Sequence, residues 1–67
     1  MDIAKIIRLA RAEYMIPSCV LAREARIERT KFSRIAVGHI KPTEEEMARI
    51  LDAIERLKAW RMQNPYT

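Results

Sequence analysis

Apolar side chains recur every three or four residues along most of the chain, which is the spacing of amphipathic helices. The first such stretch predicts a helix over about residues 2–15. Its inner face would consist of Ile3, Ile7, Ala10 and Tyr14, widened by Ile6. Pro17 ends this helix, because the residue before a proline disfavours the α conformation.

Two shorter helices are predicted next, over about residues 17–25 and 28–37. Their inward-facing positions would be Val20, Leu21 and Ala25 in one and Phe32, Ile35 and Ala36 in the other. Cys19, near the first of these faces, is expected in the core or half-buried. Gly38 follows the helix predicted over residues 28–37, at a position where a helix C-terminus favours a residue in the left-handed conformation. Helices of about two turns are unstable alone, so both must pack on the rest of the chain.

A longer helix is predicted over about residues 44–62. Thr43 followed three residues later by Glu46 is a capping-box pattern, and three acids in the first turn suit the helix dipole. The inner stripe of this helix would be Met47, Ile50, Leu51, Ile54, Leu57 and Trp60 or Arg61. Together the four helices predict an all-α fold, with residues 1–67 in a single domain.

The composition excludes several classes of protein. A chain of 67 residues and 7.9 kDa has room for one small domain. One cysteine excludes an internal disulfide framework, and one histidine excludes a four-ligand Cys/His zinc site. No apolar run approaches the length of a membrane span, and the first residues lack the features of a signal peptide. We therefore expect a cytoplasmic protein that needs no metal or other cofactor and does not contact a membrane.

Catalytic patterns are missing as well. No histidine or cysteine stands in the context of a catalytic motif, and no glycine-rich loop could hold a phosphate. The sequence thus predicts a protein that is not an enzyme and has no small-molecule substrate.

Positive charge is concentrated in the first two thirds of the chain. The net charge is +4 and the pI about 9.7. Residues 1–42 contain nine Lys and Arg against four Asp and Glu, whereas residues 43–67 contain four against five. This distribution indicates an anionic partner for the first part of the chain.

Residues 21–38, LAREARIERTKFSRIAVG, resemble the helix-turn-helix of phage Cro and CI repressors and their bacterial Xre-type relatives. The similar features are the Leu-Ala opening, Ala25, Ile27 after the turn, Phe32, the run Ser33-Arg34-Ile35, Gly38 and the Lys41-Pro42 loop. The resemblance extends over about residues 17–54. It implies a small lambda-repressor-like domain of four to five helices, with the helix-turn-helix at about residues 17–37 and a long C-terminal helix at about 44–62.

Three positions differ from the family pattern. Arg26 stands where the turn usually has glycine, and a non-glycine residue in a left-handed conformation costs roughly 1–2 kcal/mol. Glu28 occupies the N-cap position where Ser or Thr is usual; it is a weaker cap than those residues and would repel phosphate. Ser18 replaces a glutamine that often faces DNA.

The resemblance implies that residues 28–31 and Arg34 face the major groove of double-stranded DNA. The expected base contacts are Arg29, Thr30 and Arg34, because Arg can pair with guanine and Thr can touch a thymine methyl. The expected phosphate contacts are Ser18, Lys31, Ser33 and Lys41.

A domain of this size makes few contacts with DNA. We therefore expect a homodimer that binds two half-sites of an operator. Trp60, Met62 and Tyr66 are the expected interface, since aromatic residues and Met are enriched at interfaces. The predicted function is a sequence-specific transcriptional regulator, a small Cro-like repressor of a phage or mobile element on a palindromic operator. The alternatives are a restriction-modification controller, a protein-interaction module such as an antitoxin or adaptor, and a binder of anionic lipid through the first helix.

Overall fold

The computed structural model describes residues 2–63, which form four α-helices and no strand. The helices are α1 (Ile3–Tyr14), α2 (Ser18–Ala25), α3 (Arg29–Ala36) and α4 (Glu44–Gln63). The predicted all-α fold is confirmed, and each helix boundary lies within one residue of its predicted position. None of the helices in this part of the chain combines the length and the apolarity needed to cross a membrane.

One hydrophobic core joins all four helices. Helix α4 packs along α2 and α1, and α3 packs against α1 and α2. The largest fully buried side chains are Phe32, Ile7, Leu21, Ile35 and Ile50. Burying one such side chain stabilises a fold by about 1.5–3 kcal/mol, and here every helix contributes at least one. The short helices α2 and α3 are therefore held by packing on α1 and α4.

The predicted core is largely confirmed, with three differences. Ile16, in the connection between α1 and α2, and Ala53, on α4, are buried although the apolar pattern did not single them out. The prediction that Cys19 is a core or half-buried residue is wrong, because its side chain is exposed. Leu21, Ala22 and Ala25 form the buried face of α2. Because successive residues of a helix are rotated by 100°, Cys19 lies about 110° from the centre of that face.

The start of α4 forms the predicted capping box. The backbone N–H of Thr43 donates to Oε1 of Glu46 at 2.9 Å, and the backbone N–H of Glu46 donates to Oγ1 of Thr43 at 3.1 Å. At the start of α3, by contrast, Glu28 makes no side-chain capping bond. This agrees with the expectation that Glu28 is a weak cap.

The turn between α2 and α3 requires a left-handed residue, and Arg26 supplies it with φ 60° and ψ 43°. The N–H of Ile27 donates to the carbonyl of Ala22 at 3.0 Å, and that of Arg26 donates to the carbonyl of Arg23 at 3.1 Å. These two bonds are a Schellman motif. The same pattern ends α3, where Gly38 has φ 86° and is therefore the left-handed residue that the sequence predicts.

Replacing Arg26 by glycine is expected to stabilise the protein by about 0.5–1 kcal/mol. Glycine relieves the left-handed strain of roughly 1–2 kcal/mol, but it also makes the unfolded chain more flexible. Urea unfolding monitored by circular dichroism measures the difference. Arg26→Ala is the control for the lost charge, and an equal gain with alanine would attribute the effect to charge instead of backbone strain.

The C-terminal half of α4 is tied to the end of α1. Nε of Arg61 donates to the carbonyl of Tyr14 at 3.0 Å, and Nη2 donates to that of Met15 at 3.4 Å. The ammonium of Lys58 lies 5.5 Å from the centre of the Tyr14 ring, which is a cation–π distance. Arg61 thereby satisfies carbonyls that the end of α1 leaves without a partner inside the helix.

Candidate nucleic-acid interface

Helices α2 and α3 enclose a shallow depression of about 590 Å³, here called the α2–α3 cleft. Its lining consists of Ser18, Cys19, Ala22, Arg29, Thr30, Phe32, Ser33 and Arg34. Five of the seven residues predicted to contact DNA therefore lie on one continuous surface. The other two, Lys31 and Lys41, do not line it.

The exposed side of α3 carries the charge of the cleft. Phe32, Ile35 and Ala36 are buried, which turns Arg29, Thr30, Ser33 and Arg34 towards solvent. No described residue forms an ion pair with Arg29 or Arg34. Both guanidinium groups are therefore available to an external acceptor, and each has donors in the geometry that suits guanine or phosphate.

Ser18 is the first residue of α2 and lies at the rim of the cleft. The residue before it, Pro17, provides no side-chain capping bond. The first N–H groups of a helix have no acceptor within the helix, and the helix dipole makes this end positive. The backbone at Ser18 can thus donate to an anion that approaches the cleft.

Lys31 points away from the cleft and pairs with α4. Its Nζ lies 2.6 Å from Oε2 of Glu46, whose side chain is only 10% exposed. The hydrogen bond from the Lys31 ammonium, followed by that from the backbone N–H of Thr43, lowers the pKa of the Glu46 carboxyl below its ordinary value. Sequence reasoning missed this pair and assigned Lys31 to phosphate and Glu46 to helix capping alone.

Lys41 is exposed in the loop between α3 and α4 and has no ion-pair partner among the described residues.

The sequence analysis assigned no DNA contact to two further cations, Arg8 and Arg11. They line a depression of about 430 Å³ that reaches Pro17, at the start of α2. Their position on the polar side of the first helix, six and nine residues before Pro17, was the only available signal.

A third depression, of about 390 Å³, lies on the opposite flank of α2 from the cleft and is called here the α2–α4 groove. It is lined by Ile16, Pro17, Val20, Arg23, Glu24, Leu57, Trp60 and Arg61. Trp60 is 50% exposed, and the guanidinium group of Arg61 lies over its ring, 5.4 Å from the ring centre. Met62 is 71% exposed. Of the predicted dimer contacts, Trp60 lines this groove, Met62 does not line it, and Tyr66 lies outside the described residues.

Within residues 2–63, no group of three or more His, Cys, Asp and Glu is placed to hold a metal ion. The described surface thus includes the α2–α3 cleft with two unpaired guanidinium groups, the depression lined by Arg8 and Arg11, and the largely apolar α2–α4 groove. No protein-family model, curated protein or solved structure matches the chain.

Proposed function

We propose that the chain is a sequence-specific DNA-binding transcriptional regulator in which α2 and α3 form a lambda-repressor-like helix-turn-helix. The observation that carries the proposal is the convergence of Arg29, Thr30, Ser33 and Arg34 on one exposed face of α3, next to the start of α2. The two arginines are unpaired there. A basic helix whose opposite face is buried has the form that enters a major groove.

In this proposal α3 lies in the major groove, and α2 crosses the backbone. Arg29 and Arg34 pair with guanine edges, and Thr30 contacts a base edge or a thymine methyl. Ser18, Ser33 and Lys41 donate to phosphates, which set the register of α3 in the groove. Arg8 and Arg11 would add phosphate contacts beside the N-terminus of α2.

The regulator acts as a homodimer on a palindromic operator, and the two α3 helices enter grooves one turn of DNA apart, about 34 Å. The proposed interface contains Trp60, Met62 and Tyr66. The position of Trp60 in the α2–α4 groove supports this choice, because the groove lies on the other flank of α2 and leaves the cleft accessible. Binding would repress transcription by blocking polymerase, as expected of a small Cro-like protein from a phage or mobile element or of a restriction-modification controller.

The proposal is tested by selecting binding sites from a random double-stranded DNA library at physiological salt. We expect a two-fold symmetric consensus with half-sites about 10 base pairs apart, centre to centre. The double variant R29A/R34A is the matched control and should enrich no consensus. If the wild-type chain enriches nothing either, sequence-specific DNA binding is refuted.

A second candidate function is a protein-interaction module, such as an antitoxin or adaptor. The α2–α4 groove favours it, because apolar Ile16, Val20 and Leu57 line a surface beside half-exposed Trp60. Weak and unspecific DNA binding together with a tight protein partner would select this candidate over the first.

A further inference from the structure

A single ion pair joins the exposed basic helix α3 to the first turn of α4. Nζ of Lys31 lies 2.6 Å from Oε2 of Glu46. The side chain of Glu46 is 10% exposed and that of Lys31 is 44% exposed. The carboxylate is thus nearly enclosed, while the lysine reaches it from the surface.

Both oxygens of Glu46 are occupied. Oε1 accepts from the backbone N–H of Thr43 at 2.9 Å, and Oε2 accepts from Lys31. One carboxylate therefore closes the cap of α4 and binds α3 to it at the same time. If Lys31 turned outward to a phosphate, a carboxylate that is largely removed from water would lose its cation, which is unfavourable.

The position of Lys31 on α3 leads to the same conclusion. At 100° per residue, Lys31 lies about 130° from the centre of the face that Arg29, Thr30, Ser33 and Arg34 form. It is instead next to the buried side, where Ile35 packs. Lys31 therefore lies at the edge of α3 from which its side chain reaches Glu46 at the start of α4.

We propose that Lys31 is a positioning residue: through Glu46 it fixes the orientation of α3 on the body of the protein, and it does not bind a DNA phosphate. This inference rests on the proposed DNA-binding function, and it replaces the phosphate contact that the sequence predicts for Lys31. The orientation of α3 determines which bases Arg29 and Arg34 reach. Loss of the pair should consequently reduce sequence discrimination more than general affinity for DNA.

The test compares Lys31→Met, Glu46→Gln and Lys41→Met on the selected site and on a scrambled duplex. Glu46→Gln is informative because glutamine also serves in a capping box, so that only the charge is removed. We expect Lys31→Met and Glu46→Gln each to lower the ratio of specific to scrambled affinity by a factor of about 2 to 150, the range of coupling between contacting residues. The slope of log affinity against log salt should stay near the wild-type value in Lys31→Met and become less steep by about 0.9 per half-site in Lys41→Met.

A phosphate contact by Lys31 predicts different affinities and a different salt dependence. If Lys31 binds a phosphate, Lys31→Met weakens both duplexes equally and reduces the salt slope as Lys41→Met does. Glu46→Gln would then free Lys31 and tighten binding to both duplexes with an unchanged ratio. Either pattern overturns the positioning role.

Amide hydrogen exchange of the free protein separates this inference from the proposed function. If the pair holds α3 to α4, Lys31→Met and Glu46→Gln should each speed exchange in residues 29–36 by a factor of about 2 to 150, and the double variant should add little. Additive effects of the two single changes would refute the pair as an anchor. A wild-type chain that binds no duplex would refute DNA binding, while the exchange rates would still decide whether Lys31 anchors α3.

Discussion

Replacing Arg29 or Arg34 by alanine is expected to weaken binding to the selected operator by about 1–3 kcal/mol per half-site for each arginine. The reason is that a guanidinium donates two parallel hydrogen bonds to guanine, whereas alanine donates none. Both arginines are exposed on α3 and unpaired, so the fold should not change. Operator and scrambled duplexes titrated by fluorescence anisotropy at one fixed salt concentration measure the effect.

The double variant should lose roughly the sum of the two single effects, because contacts to well-separated bases are nearly additive. Arg29 and Arg34 are five residues apart, about 7.5 Å along α3, and therefore reach different base pairs. Binding to the scrambled duplex should fall much less, since it depends on charge and not on base edges.

Lys41→Ala is the matched control for these variants. It removes one exposed charge from the loop after α3 and should weaken the operator and the scrambled duplex by the same factor. If Arg29→Ala and Arg34→Ala behave like Lys41→Ala, the two arginines are phosphate anchors, and the base contacts must be sought elsewhere on α3.

The helices were predictable because their signals are local. Apolar positions three and four residues apart define α1 and α4, and Pro17 and Thr43 mark where helices can end or begin. The left-handed turn was instead indicated by the resemblance, which places a glycine at the position of Arg26. Arg26 has the left-handed conformation there, with φ 60° and ψ 43°, inside a Schellman motif.

Partners that are distant along the chain could not be predicted in this way. Glu46 finds Lys31 fifteen residues earlier, and Arg61 finds the carbonyl of Tyr14 across 47 residues. Nothing in the local spacing distinguishes such a pairing from a charge that remains in solvent. The expectation for Cys19 was wrong because it followed the usual burial of cysteine, whereas the helical spacing places Cys19 about 110° from the centre of the buried face of α2.

The sequence predicted which polar residues of α3 line the α2–α3 cleft, but it did not predict which neighbouring residue lies outside the cleft. The resemblance selected Arg29, Thr30, Ser33 and Arg34, which the packing of α3 then places on one face. Whether Lys31 belongs with them depends on how α4 approaches α3, and only the three-dimensional structure provides that information.

Disrupting the proposed dimer interface should reduce affinity for a palindromic operator by about 10²–10⁴-fold, because the second half-site is then no longer bound intramolecularly. Trp60→Ala removes a half-exposed aromatic side chain from the lining of the α2–α4 groove, and Met62→Asp places a charge on the exposed Met62, two residues further along α4. Affinity for a duplex with a single half-site should not change, since neither residue lines the α2–α3 cleft.

Point variants test this interface better than truncation after Leu57 does. Truncation would also remove Arg61, which satisfies the carbonyls of Tyr14 and Met15, so that lost stability would be mistaken for lost association. Ala48→Asp is the matched control, because it adds the same charge to the exposed side of α4 about 21 Å from Met62. Sedimentation velocity of the free protein, together with titration of palindromic and half-site duplexes, measures both effects. A Met62→Asp chain that still dimerises and still prefers the palindrome would place the interface on another surface, and it would leave the α2–α4 groove to a different partner.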